Sequence, residues 1–118
     1  MRFVALGFID QQLWDEMLGG GEVGLVERIR AYDEQQIAAG YFVGGETLVP
    51  SPRAVTVRGG RKPTIVDGPF AETKEQLGGL IVLEARDQQH ATELMANHPS
   101  VFVGTSWEIR PVTELYPS

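Results

Sequence analysis

Apolar and polar positions alternate along the chain in a way that fixes most of its elements. Residues 2–9, RFVALGFI, are apolar on both alternating sets, with Val4, Leu6 and Phe8 on one and Phe3, Ala5 and Ile9 on the other. A strand with two apolar faces is covered on both sides; helices account for one cover and a second subunit for the other. Residues 10–21 are ambiguous, because Trp14, Met17 and Leu18 suggest a helical turn that Gly19, Gly20 and Gly21 break. The clearest helix spans residues 22–39. Leu25, Val26, Ile29, Tyr32 and Ile37 form its apolar stripe, while Glu27, Arg28, Arg30, Asp33 and Glu34 fill the other face. Gly40 ends it.

YFVGGETL (41–48) reads as a strand interrupted by Gly44 and Gly45, a mark of a bulge or of close backbone approach. Pro50 and Pro52 break the chain. AVTVR (54–58) and RKPTIV (61–66) then form a hairpin with a two-residue turn at Gly59-Gly60. Pro63 has no amide to donate, so its arm is an edge strand, with Arg58, Arg61 and Lys62 near the tip. GGLIVLEA (78–85) is the next strand. Asp87 caps a helix over 88–97 whose stripe is Ala91, Leu94, Met95 and His98, and Pro99 stops it. TSWEIRPV (105–112) closes the chain with Thr105, Trp107 and Ile109 on one face and Ser106, Glu108 and Arg110 on the other. The order β-α-β-(ββ)-β-α-β predicts an α+β, ferredoxin-like split βαβ sandwich with an inserted β-hairpin, in one domain over residues 1–118.

Residues 65–79, IVDGPFAETKEQLGG, fit neither a strand nor a long helix. Asp67 ends a strand, Gly68-Pro69 forces a turn, and Pro69 suits the first turn of a short helix. Phe70 is expected to drop into the core. The carboxylate of Asp67 has two readings: it caps the turn through downstream amides, or it sits in a pocket as an acid/base or ligand anchor. A water-exposed aspartate titrates near about pH 3.9, so proton donation near neutrality requires burial.

Composition narrows the function classes. The 118 residues carry a net charge of −6, which disfavours nucleic acid and anionic lipid as partners. No cysteine is present, which removes disulfides, thiolate chemistry and Cys-based zinc sites. Two scattered histidines give no metal-ligand spacing, and no phosphate-binding or nucleophile-elbow motif occurs, so neither metal nor cofactor is expected. No apolar run reaches the ~18 residues of a membrane span, and the short apolar N-terminus lacks a cleavage site, so a cytoplasmic protein is expected.

DGPFAETKEQLGG resembles the signature of the DGPF proteins, a branch of the YCII-related family. The start MRFVALGF, the run VGGETLVPSPRAVTVRGGR and the ending WEIRPV are similar to the same family's layout, so the resemblance extends from Met1 to Val112. It implies a dimeric α/β-barrel-type assembly, hence a homodimer. It also implies small enzymes or ligand binders with an Asp and a His in the pocket, and one branch eliminates chloride from a hydroxylated aromatic ring. The Asp corresponds to Asp67. The His has no counterpart in the first strand or near Gly44-Gly45, which leaves His90, expected at the surface, and His98.

Three readings follow. In the first, Asp67 and His98 are catalytic, and Gly44, Gly45, Glu46, Phe70 and Arg110 bind a small-molecule ligand. The second is a non-catalytic ligand-binding or regulatory module associated with sigma-factor-type transcription control, a setting the resemblance implies. In the third the DGPF segment is architectural and serves the dimer. Glu108 and Arg110 are also read as a cross-strand or intersubunit ion pair.

Overall fold

A computed structural model describes residues 1–21 and 23–116. Four strands form one antiparallel sheet: β1 (Arg2–Ile9), β2 (Phe42–Thr47), β5 (Gln76–Glu84) and β6 (Ser106–Pro111), in the order β2-β5-β1-β6. Helix α2 (Leu25–Ala38) links β1 to β2, and α3 (Gln88–Ala96) links β5 to β6. This is the ferredoxin-like α+β arrangement. The hairpin of β3 (Val55–Arg58) and β4 (Thr64–Asp67) is inserted between β2 and β5 as a separate two-stranded sheet.

The core sits between the sheet and the helices. Phe3, Ala5, Phe42 and Leu83 point from the strands, and Ala91, Leu94 and Met95 from α3. Alternation along β1 explains the division: Phe3, Ala5 and Gly7 are buried under the helices, while Val4, Leu6 and Phe8 are half-buried on the opposite face. There they stand level with Val82, Leu80 and Leu77 of β5, and a bulge between Gly7 and Phe8 shifts the last pairing.

Several local expectations are corrected. The residues read as ambiguous hold a short helix, α1 (Gln11–Glu16), which Asp10 caps by accepting the Gln12 and Leu13 amides. The chain then continues through a wide π-type turn over Met17–Gly21. Helix α2 starts at Leu25 behind Gly24, whose φ of 78° favours glycine; residue 22, the expected start, lies outside the described residues. The hairpin loop is five residues long, 59–63, rather than two, because the ladder begins only beyond Pro63, at Thr64. No helix follows Pro69. Residues 68–75 form an irregular loop in which Gln76 Nε2 donates to the carbonyls of Ala71 and Thr73 at 2.8 and 2.9 Å. Among the described residues no helix is long and apolar enough to cross a membrane.

Candidate functional site

Along α2, Ile29, Asp33 and Ile37 recur at four-residue spacing and share one face. That face stands over the β2 side of the sheet, where glycines leave gaps between the side chains of the surface. Gly7 pairs with Gly79, Gly79 with Thr47, and Gly45 with Ile81, so three glycines pave adjacent positions. The result is a cavity of about 700 Å³ between helix and sheet. Its walls include Trp14, Phe42 and Trp107, and its volume suits a small organic molecule. Among the described residues no lysine or arginine lines it.

His98, Ser100 and Thr105 enter this cavity from the segment after α3. Pro99 ends that helix, and His98 becomes the cap of a 3₁₀ turn over Pro99–Val103. The residue is buried, and its ring lies among Tyr32, Phe42 and Trp107, with ring centroids 5.5, 6.5 and 5.3 Å away. Both ring nitrogens are engaged. Nε2 is 2.9 Å from Asp33 Oδ1, and Nδ1 is 2.7 Å from Ser100 Oγ. The Ser100 amide also donates to Nδ1 at 3.3 Å.

The polarity of this chain follows from its donors. An indole N–H only donates, so Trp107 Nε1 at 3.1 Å makes Ser100 Oγ an acceptor. An amide N–H only donates, so Nδ1 of His98 accepts. The ring proton therefore sits on Nε2 and is donated to Asp33, while the Ser100 hydroxyl gives its proton to Nδ1. Trp107 is held in turn by a close approach: a Cβ at Gly7 would stand 2.8 Å from its ring. Asp33 is the accessible end of the chain, with a side chain 35% exposed against 4% for His98. Its Oδ2 has no hydrogen-bond partner among the described residues.

Two neighbours complete the surroundings. The Tyr32 hydroxyl donates to the Leu94 carbonyl at 2.6 Å. Burial, and secondarily the charge of Asp33, raise its pKa above the ordinary value of 10.0. Thr105 is buried, yet its Oγ1 finds no partner among the described residues.

The residues singled out from sequence separate in space. Gly44, Gly45, Glu46 and His98 line the cavity. Asp67, Phe70 and Arg110 do not. Asp67 is exposed at the end of β4, beside a smaller cleft of about 420 Å³ shared with Ser51, Pro52 and Glu72. The turn after it is held by other groups: the Gly68 amide donates to the Ala54 carbonyl and the Thr56 hydroxyl to the Gly68 carbonyl. The single pocket expected to unite Asp67, Phe70, Gly44, Gly45 and Arg110 is thus not formed, because the hairpin carries the DGPF run away from the four-stranded sheet. Phe70 does not enter the core. It is 73% exposed and lies under the Arg58 guanidinium, 5.2 Å from ring centroid to Cζ. Arg110 is exposed and pairs at 2.8 Å with Glu108 two residues away on the same strand, not across strands. His90, expected at the surface, is buried: Nδ1 accepts the Arg86 amide at 3.1 Å, and the ring packs edge-on against Tyr41. It organises the start of α3. Asp33 was missed, assigned to the polar face of its helix, although its spacing from Ile29 and Ile37 marks the inner stripe.

The family profile of the YCII-related domain matches residues 14–116. The chain belongs to the YCII-related family. It is also similar to the uncharacterized protein R00369 of Rhizobium meliloti (strain 1021), 29% identical over 119 residues, covering 99% of this chain and 96% of that protein. Among solved structures the chain is similar to 5-chloro-2-hydroxyhydroquinone dehydrochlorinase (TftG) from Burkholderia phenoliruptrix AC1100, in complex with 2,5-dihydroxybenzoquinone. That match has a TM-score of 0.54 and 15% identity and covers 96% of this chain and 94% of the other. It establishes the shared ferredoxin-like fold of this YCII-related chain.

Proposed function

We propose that this YCII-related protein is a small-molecule enzyme that moves a proton on a ring-shaped substrate, with Asp33 as the acid/base group. One observation carries the reading: both nitrogens of His98 are occupied, and Asp33, whose Oδ1 the ring holds at 2.9 Å, is the carboxylate of the cavity lining that this buried relay orients. His98 acts on Asp33. Its Nε2–H fixes the carboxylate rotamer through a hydrogen bond of 2.9 Å. Ser100 and Trp107 fix the ring of His98. The aromatic walls give a flat body a place to lie. The dehydrochlorinase that shares the fold removes chloride from a hydroxylated ring, a reaction that also needs a placed base, and this supports the reading by analogy of fold.

In this reading Asp67 and the DGPF loop belong to the hairpin and not to the chemistry. The half-buried strip Val4, Leu6, Phe8, Leu80 and Val82 favours a homodimer joined sheet to sheet. Sedimentation then gives twice the chain mass, and Leu6→Glu gives the single mass; wild type sedimenting as one chain would exclude the dimer.

The test of the base is exchange of an acidic C–H for deuterium. In D₂O, with 2-tetralone as probe, wild type accelerates loss of the C1 proton signal, and Asp33→Asn loses about 100-fold or more of that acceleration. Equal rates for the two proteins would overturn the assignment.

A further inference from the structure

The hydroxyl of Thr105 is the one polar side-chain group among the described residues that is buried without a partner. Thr105 is more than nine-tenths buried and lines the same cavity as Asp33. A buried hydroxyl without a hydrogen bond is costly to the fold, and such a group survives where a ligand supplies its partner. Its position is anchored, because the Thr105 amide donates to the Ser100 carbonyl at 3.1 Å. The Ser100 side chain holds His98. One residue thus fixes both the dyad and the unpaired hydroxyl, so the two are held in register.

The lining also limits the charge of the ligand. With no lysine or arginine lining the cavity among the described residues, a carboxylate or phosphate would lie unpaired next to an aspartate in a largely apolar, aromatic surround. An uncharged oxygen suits a neutral hydroxyl donor. We infer that Thr105 is a substrate-binding residue whose hydroxyl donates to the carbonyl oxygen of an uncharged cyclic ketone or ring enone. This inference rests on the acid/base reading above and specifies its substrate class. In the step it implies, the C–H bond next to the carbonyl breaks and the proton passes to Asp33 Oδ2. The electron pair forms the C=C bond, and the carbonyl π pair moves onto oxygen, where the Thr105 hydrogen bond strengthens as charge develops. Protonation by Asp33 returns the ketone or its isomer, with no redox change.

Paired probes test it. Affinity is measured by calorimetry for 2-tetralone and for tetralin, the same ring system without the carbonyl. Wild type prefers the ketone by about tenfold, the worth of one hydrogen bond that would otherwise go unmade. Thr105→Val, which keeps the shape, loses the preference, and Thr105→Ser restores it. The Val variant also unfolds at higher denaturant than wild type, since an unsatisfied group has gone, which separates lost recognition from lost fold. The inference is overturned if Thr105→Val keeps the preference, or if wild type shows none or binds neither probe. Failure of the base reading looks different: the tenfold preference persists in wild type while deuterium exchange is no faster than in Asp33→Asn.

Discussion

Replacing Ser100 by alanine removes one oxygen and disturbs two buried rings. Ser100 Oγ accepts from Trp107 Nε1 at 3.1 Å and serves His98 Nδ1 at 2.7 Å, and Ser100 itself is 3% exposed. In Ser100→Ala the indole N–H loses its acceptor inside the protein, a loss of about 1–3 kcal/mol for a buried unpaired donor. His98 Nδ1 keeps the Ser100 amide at 3.3 Å but loses the shorter hydroxyl bond, roughly 1 kcal/mol more. The sum is about 2–4 kcal/mol, a large part of the roughly 5–15 kcal/mol that holds a domain of this size together. Urea unfolding followed by circular dichroism reads it directly, and a midpoint shift at unchanged slope identifies it as stability. Thr73→Ala is the matched control. That hydroxyl donates to the Glu75 carbonyl at 2.6 Å, a shorter bond, but at the surface, where water replaces the lost partner and the change stays within about 0.5 kcal/mol. If Ser100→Ala matched Thr73→Ala, the relay through His98 would not be a buried, satisfied network, and the argument for Asp33 as its outlet would fail with it.

Tyr32→Phe loses the hydrogen bond to Leu94 and about 1 kcal/mol at neutral pH. It also flattens the alkaline limb of stability: the raised pKa of Tyr32 means that its contribution is complete below the unfolded value of 10.0 and is lost as pH climbs through the folded value. Urea midpoints measured between pH 8 and 11 for both proteins check this, and parallel curves would exclude it. Gly7→Ala forces a methyl to 2.8 Å from the Trp107 ring and costs about 1–3 kcal/mol, with a change in indole fluorescence, whereas Gly59→Ala meets nothing within 4 Å and leaves both unchanged. Asp67→Asn leaves urea stability within about 0.5 kcal/mol and 2-tetralone affinity unaltered; a lost affinity would bring Asp67 back to the site.

The sheet and its two long helices were legible because their signals are periodic. A doubly apolar β1, the stripe of α3 and the alternation of β6 each have one geometric solution on a covered sheet. The misread pieces lack such a signal. Gly59-Gly60 has the chemistry of a tight turn, but Pro63 withholds the amide that a short ladder would need, and the loop widens. Phe70 carries the apolarity of a core residue in a segment that never reaches the core, and its local partner is a guanidinium. His90 falls on a first helical turn, which reads as surface. The tertiary approach of Tyr41 helps to cover it, at 4.6 Å between ring centroids.

The candidate site was harder to read because it is made by omission. Polar residues on an amphipathic helix are read as solvent-facing, and that rule put Asp33 outside. The rule assumes that the sheet beneath presents side chains to fill the space. Here Gly7, Gly45 and Gly79 present none, so the stripe of α2 meets a hollow, and a carboxylate on that stripe can face inward without being pressed against apolar atoms. Gly45 was noticed as an interruption of a single strand and Gly7 and Gly79 were not singled out with it, whereas the meaning of all three lies in the pairings that bring Gly7 beside Gly79 and place Gly45 in the adjoining row. His98 shows the complementary case. Its helical spacing suggested a packed residue, and it packs against three rings; it also caps the 3₁₀ turn that follows the helix. Those structural duties immobilise the imidazole, and an immobile imidazole with both nitrogens engaged can orient a carboxylate that a freely rotating ring could not.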